Sequence, residues 1–217
     1  MISVLTQRAT KYSQRWINRK TKDRWKRDIY YFAYGANIDE ESCRNKGIFP
    51  IDSATAILKD HDIGITLPCE YSGKGYASIF QSNGKNVYGK LHRISYLELL
   101  MFDILEWVPF GFHTRIKVKA HCDDKITMAW AYFAKNPKQN LKTSVRYREI
   151  LVNSAKKYKF PGDYVSRLAS LPTGDNFQLD PSFRMSNPSK ERFASNRLRL
   201  LYLLHDKLRE KLCARLP

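Results

Sequence analysis

The sequence predicts an α+β domain: a mostly antiparallel sheet of about six strands with helices set to one side. Three observations predict it. Between residues 30 and 134 the chain is a succession of short runs rich in β-branched and aromatic residues, joined by short connections. At 95–105 and again after 143 the apolar residues take up a helical spacing. Most of the basic excess sits at the two ends, which leaves the middle as an ordinary, mildly basic globular segment.

The elements follow in order. Residues 1–28 form a basic amphipathic extension: Ile2, Leu5, Ala9, Tyr12 and Trp16 recur at spacings of three and four among Arg8, Lys11, Arg15 and Arg19. Two readings stand for it, a helix lying on its own domain or on an anionic surface, and a cleaved organelle transit peptide, since no acid precedes Asp23. "YYFAYGAN" (30–37) is a strand that runs into a glycine turn, and Asp39, Glu40 and Glu41 then supply a polar first helical turn. Such a turn exposes a row of backbone N–H groups. Further strands are expected at 55–67, 76–80, 86–94, 113–121 and 126–134, with hairpin turns at Ser82-Asn83-Gly84-Lys85 and Asp123-Asp124-Lys125. Helices are expected at 95–105, 144–158 and 162–171. The domain spans 29–175. A proline-punctuated linker (176–189) leads to a basic C-terminal helix (190–217), whose stripe of Phe193, Leu200, Leu201, Leu204, Leu208 and Leu212 suits packing against the core.

Composition excludes several classes. With 217 residues and 43% hydrophobic content the chain is long enough to bury one core and is not a disordered tail. Its longest apolar runs, such as 97–105, are interrupted by acids and too short to cross a bilayer as a helix. The net charge of +17 looks like a nucleic-acid signature until it is divided: residues 1–27 hold +8, residues 190–217 hold +5, and the rest holds +4. Four scattered cysteines form no CxxC pair, which predicts a reducing, cytoplasmic location, or an organelle if residues 1–27 direct it there. His121-Cys122-Asp123-Asp124 is the one local cluster of metal-ligand types, and it reads as a polar hairpin turn, so no metal site is assigned.

No GxSxG, P-loop, HExxH or dinucleotide fingerprint is present. What remains is Glu106, set in "FDILEWVPFGF" among Phe102, Leu105, Trp107, Val108, Phe110 and Phe112. A carboxylate with such neighbours would have its charged form disfavoured, as suits proton transfer near neutrality. The alternative is a glutamate that points outward from a helix end.

Tyr31-Phe32-Ala33-Tyr34-Gly35-Ala36-Asn37, "GYASIFQSNGKNVYGKLHRI" (75–94) and "FDILEW…GFHTR" (102–115) come in the order and at the spacing of three motifs of the gamma-glutamylcyclotransferase-like proteins, and the later "AYF" and "RYREI" fit as well. Over about residues 29–172 the chain resembles that family. The resemblance implies a small closed β barrel with helices packed around it. It implies a backbone cradle for a gamma-glutamyl group at Tyr34, Gly35, Ala36 and Asn37, and Glu106 as catalytic acid/base. It places His113 against the leaving portion of the substrate and Tyr132 and Tyr147 in the pocket, the last two equally readable as core aromatics. The implied reaction releases 5-oxoproline and needs no cofactor and no metal. Three departures mark this chain: Ala36 replaces the family's serine, Trp107 the glycine after the catalytic glutamate, and His113 a common tyrosine next to the retained Arg115. Trp107 thus stands where an unusual dihedral is expected. A binding module that has lost catalysis and uses its basic ends on nucleic acid, an anionic membrane or an acidic protein is the other reading.

Overall fold

In the computed structural model, residues 28–69 and 74–174 are described. The predicted terminal helices, the transit-peptide reading and the linker therefore lie outside the described residues, as does any partner they would bind. Five strands, β1 (Asp28–Ala33), β2 (Asp52–Cys69), β3 (Lys74–Ser95), β4 (His113–Cys122) and β5 (Lys125–Ala134), close into a barrel in the order β1–β3–β2–β4–β5. All neighbours are antiparallel except β1 and β5, which run parallel and meet at Tyr31 and Trp130. The helices are α1 (Glu40–Arg44), α2 (Tyr96–Leu105), α3 (Val145–Lys157) and α4 (Gly162–Ala169). No helix among the described residues is long and apolar enough to cross a membrane.

The sheet thus has one strand fewer than the sequence suggests, and the reason is local. The segments expected as separate strands at 76–80 and 86–94 are both part of β3, and both pair with β2. Lys59 pairs with Asn86 and His61 with Gln81, so residues 82–85 face Asp60 alone. Ser82–Lys85 is therefore a bulge and not a hairpin. Asp60 has φ 56°, Gly84 has φ 74°, and the Gly84 N–H donates to Asp60 Oδ1 at 2.9 Å, which satisfies the turn without reversing the chain. Asp123 and Asp124 do form the expected reversal, with Cys122 paired to Lys125.

Both faces of β1 are covered at its C-terminal end: Tyr31, Phe32 and Ala33 are buried, as is Tyr34 just beyond it. Phe32 and Tyr34 join Leu58, Val87 and Leu91 in a cluster that Leu151 and Ala155 of α3 and Leu168 of α4 complete. Tyr31 and Ala33 face the other way, into a second cluster with Ile94, Leu99, Phe102 and Tyr132. Gly89 on β3 permits this closeness: a Cβ there would lie 2.3 Å from the Ala33 carbonyl oxygen and 2.8 Å from the Phe32 ring. Asp62 ties α4 to the barrel, accepting from Arg167 Nη1 at 3.0 Å and Lys85 Nζ at 2.8 Å.

Candidate active site

Where β1 ends the chain makes a 3₁₀ turn, Ala36–Ile38, and the space beside it is a cavity of about 360 Å³. All eight residues that the sequence nominates line it: Tyr34, Gly35, Ala36, Asn37, Glu106, His113, Tyr132 and Tyr147. They come from β1 and its following turn, the end of α2, β4, β5 and α3.

α2 sets the position of Glu106. A capping box starts the helix: Ser95 Oγ accepts from the Glu98 N–H at 3.3 Å, and Glu98 Oε2 accepts from the Ser95 N–H at 2.8 Å. Glu106 is the C-cap, its N–H donating to the Phe102 carbonyl at 2.7 Å. The next residue, Trp107, has φ 54° and ψ 34°, the left-handed conformation in which helices commonly end on glycine. The unusual dihedral expected at this position is present. Holding an L-residue there costs about 1–2 kcal/mol.

Asn37 links the two walls. Its Nδ2 donates to Glu106 Oε1 at 2.7 Å and approaches the Tyr31 hydroxyl at 3.2 Å, while Lys46 Nζ donates to its Oδ1. The lysine on the oxygen fixes the nitrogen toward the glutamate. The Asn37 backbone carbonyl accepts from His92 Nε2–H at 2.9 Å and from the Cys43 thiol at 3.3 Å. With Nε2 donating to a carbonyl, the other ring nitrogen of a neutral His92 accepts from Ser53 Oγ, 2.7 Å away. Burial holds His92 below its ordinary pKa, in keeping with this neutral form, and burial pushes the Cys43 thiol up to about 12, so it is a packing group and a donor.

Glu106 is part-buried and is not in the wholly apolar setting that its sequence neighbours suggest. His113 Nδ1 donates to the Glu106 carbonyl at 2.7 Å and lies 3.6 Å from Oε2. Trp107 and Phe112 supply the apolar side, their ring centroids 5.8 Å apart and edge to face. Burial, and the Glu106 charge behind it, raise the phenol pKa of Tyr31, Tyr34 and Tyr147 well above the ordinary value. These hydroxyls stay protonated and are not bases.

The tyrosines differ in what they offer. The Tyr147 hydroxyl stands at the glycine turn, 3.7 Å from where a Cβ on Gly35 would lie, so any side chain at that position would project into the cavity. Gly35 itself has φ −109°, so no left-handed backbone requires glycine there. Tyr34 donates its hydroxyl to the Tyr132 carbonyl across β1 and β5. Tyr132 touches the cavity, but its hydroxyl is turned to α2, 2.8 Å from Asp103 Oδ1, and Arg115 holds the other oxygen of Asp103 at 2.6 Å. Its ring belongs to the second cluster. Lys46, Tyr31 and Phe112 are site residues that sequence reasoning did not nominate. Nothing local singles out Lys46, which follows α1, whereas Tyr31 lies inside the first motif at a position that the sequence marks only as strand.

Known proteins resemble the chain in sequence and in fold. The profile of the AIG2-like family matches residues 86–168, which include Glu106, His113, Tyr132 and Tyr147. The chain is 24% identical over 149 residues to the gamma-glutamylcyclotransferase of Bos taurus, covering 67% of this chain and 79% of that protein. It is 25% identical over 152 residues to the gamma-glutamylcyclotransferase of Homo sapiens, with coverage of 67% and 79%. A solved structure described as a gamma-glutamyl cyclotransferase superposes with a TM-score of 0.62 at 24% identity, covering 72% of this chain and 96% of that one. The strands that carry the cavity are those of that fold.

Proposed function

The chain is gamma-glutamylcyclotransferase-like in sequence and fold, and from that premise we propose that it is an enzyme of the cyclotransferase kind, converting a gamma-glutamyl compound into 5-oxoproline and a free amine, amino acid or peptide. The observation that supports this reading most directly is the Glu106 carboxylate, held by the Asn37 amide at 2.7 Å inside a cavity whose other wall is the Tyr34–Asn37 turn.

The substrate carries its own nucleophile. Its α-amino group lies a five-membered ring away from the side-chain carbonyl, so holding the folded conformer supplies much of the rate through effective molarity. Glu106 takes a proton from the α-ammonium group, and the freed amine forms a bond to the carbonyl carbon. The ring nitrogen gives up its second proton to solvent as the tetrahedral species collapses, and the bond to the leaving nitrogen breaks as that nitrogen receives the proton held by Glu106. Backbone N–H groups at Gly35, Ala36 and Asn37 are fixed donors of the sort that meet charge developing on a carbonyl oxygen. Lys46 provides a positive charge for the substrate α-carboxylate. No step calls for a side-chain nucleophile.

The test is release of 5-oxoproline from gamma-glutamyl amino acids, gamma-glutamyl amines, glutathione and gamma-glutamyl-lysine, with wild type and Glu106→Gln in parallel. Glu106→Gln is expected to lower kcat by roughly 10²–10⁴-fold, the range for a general acid/base, with an unchanged circular dichroism spectrum. Turnover that survives the substitution would refute the role of Glu106.

A further inference from the structure

The residue after Glu106 is held in a conformation that favours glycine, yet it carries the largest of the natural side chains. Backbone outliers of this kind persist where the surroundings use them, and the direction of inference runs from the outlier to the use. Trp107 lines the cavity, its ring meets the Phe112 ring edge to face, and Leu105, Leu67 and Pro68 line the same space. Asn37 and Lys46 line the same cavity, with polar groups suited to the charged ends of a gamma-glutamyl group. The lining thus combines polar groups with an apolar, aromatic surface that includes Trp107 and Phe112. At about 360 Å³ the cavity lies within the range of small-molecule clefts, roughly 300–1,000 Å³.

We infer that Trp107 and Phe112 form the subsite for the leaving group, and that the preferred substrate is the gamma-glutamyl derivative of an aromatic amino acid or arylalkyl amine. This rests on the cyclotransferase reading above, because it assigns the second half of the same substrate. An aromatic ring packs on an indole in offset or edge-to-face geometry, and Trp107 and Phe112 both line the cavity. Trp107 is then a specificity-determining residue.

The test compares kcat/KM for gamma-glutamyl-phenylalanine and gamma-glutamyl-alanine in wild type, Trp107→Gly and Trp107→Phe. Wild type is expected to favour the phenylalanine derivative by about tenfold or more, Trp107→Gly to bring the ratio toward one, and Trp107→Phe to restore most of it. A wild-type ratio near one, or a ratio that Trp107→Gly leaves unchanged, overturns the inference. Calorimetric binding of both compounds to Glu106→Gln separates this from the reaction itself. If neither compound is turned over, the cyclotransferase reading falls, and tighter binding of the phenylalanine derivative that disappears in Glu106→Gln/Trp107→Gly still sustains the subsite. Equal binding of the two, or no binding of either, overturns it.

Discussion

The two walls of the cavity are built on opposite plans. The Tyr34–Asn37 wall is tied down by buried polar contacts: His92 and Cys43 on the Asn37 carbonyl, Lys46 and Glu106 on its amide, and the Tyr34 hydroxyl on β5. None of its residues has a positive φ. The wall from Glu106 to Phe112 has two positive-φ residues, Trp107 and Gly111, and is mostly apolar beyond the glutamate. A wall anchored through its backbone keeps one geometry and suits the part of a substrate that never varies. A wall made of a loop with large rings changes shape by substitution and suits the part that does.

The largest effect that would test this contrast comes from Asn37→Leu. It removes the donor that sets the Glu106 carboxylate while keeping the volume, and kcat/KM for 5-oxoproline release should fall about 10–100-fold. A change below twofold would mean that the carboxylate is positioned by its own helix end.

Next is His92→Phe, which removes one of the two donors on the Asn37 carbonyl and the partner of the Ser53 hydroxyl. The expected loss is about 1–3 kcal/mol in urea unfolding. The same residue gives the first wall a pH signature. Burial holds His92 below its ordinary value of 6.5, so the unfolded chain takes up this proton before the folded one does. Its contribution to stability is complete above pH 6.5 and is lost as pH falls toward the folded value. Urea midpoints should decline between pH 7 and 5 more steeply in wild type than in His92→Phe, and parallel curves would remove His92 from this account.

The smallest effect belongs to the second wall. Trp107→Ala and Trp107→Gly delete the same packing, but only glycine relieves the left-handed backbone. Trp107→Gly should therefore be the more stable of the two by about 1 kcal/mol in urea. Equal stabilities would show that the loop relaxes and that the dihedral stores no strain.

Much of this was legible in the sequence, for identifiable reasons. The bounds of α2 and α3 were read to within one residue because helical periodicity and Ser95 and Ser144 at the N-caps agree. Asn83-Gly84 misled because the same dipeptide serves a hairpin and a bulge, and only pairing with Asp60 on β2 decides between them. The glycine-like dihedral at Trp107 was visible through the family motif, while the ring contact with Phe112, five residues on, needed the fold of the intervening 3₁₀ turn. Lys46 reaches Asn37 only because α1 turns the chain back, and no local pattern announces it.

The parallel seam between β1 and β5 has a temporal consequence. Tyr34 and Tyr132, joined across it, are 98 residues apart, and contacts of such separation form late because the loop-closure entropy must be met first. A nascent chain that has released Glu106 from the ribosome still lacks β5, and with it one side of the cavity. The cavity is therefore complete only after β5, and α3 with Tyr147 behind it, have been synthesised, and an activity that depends on it should not precede them.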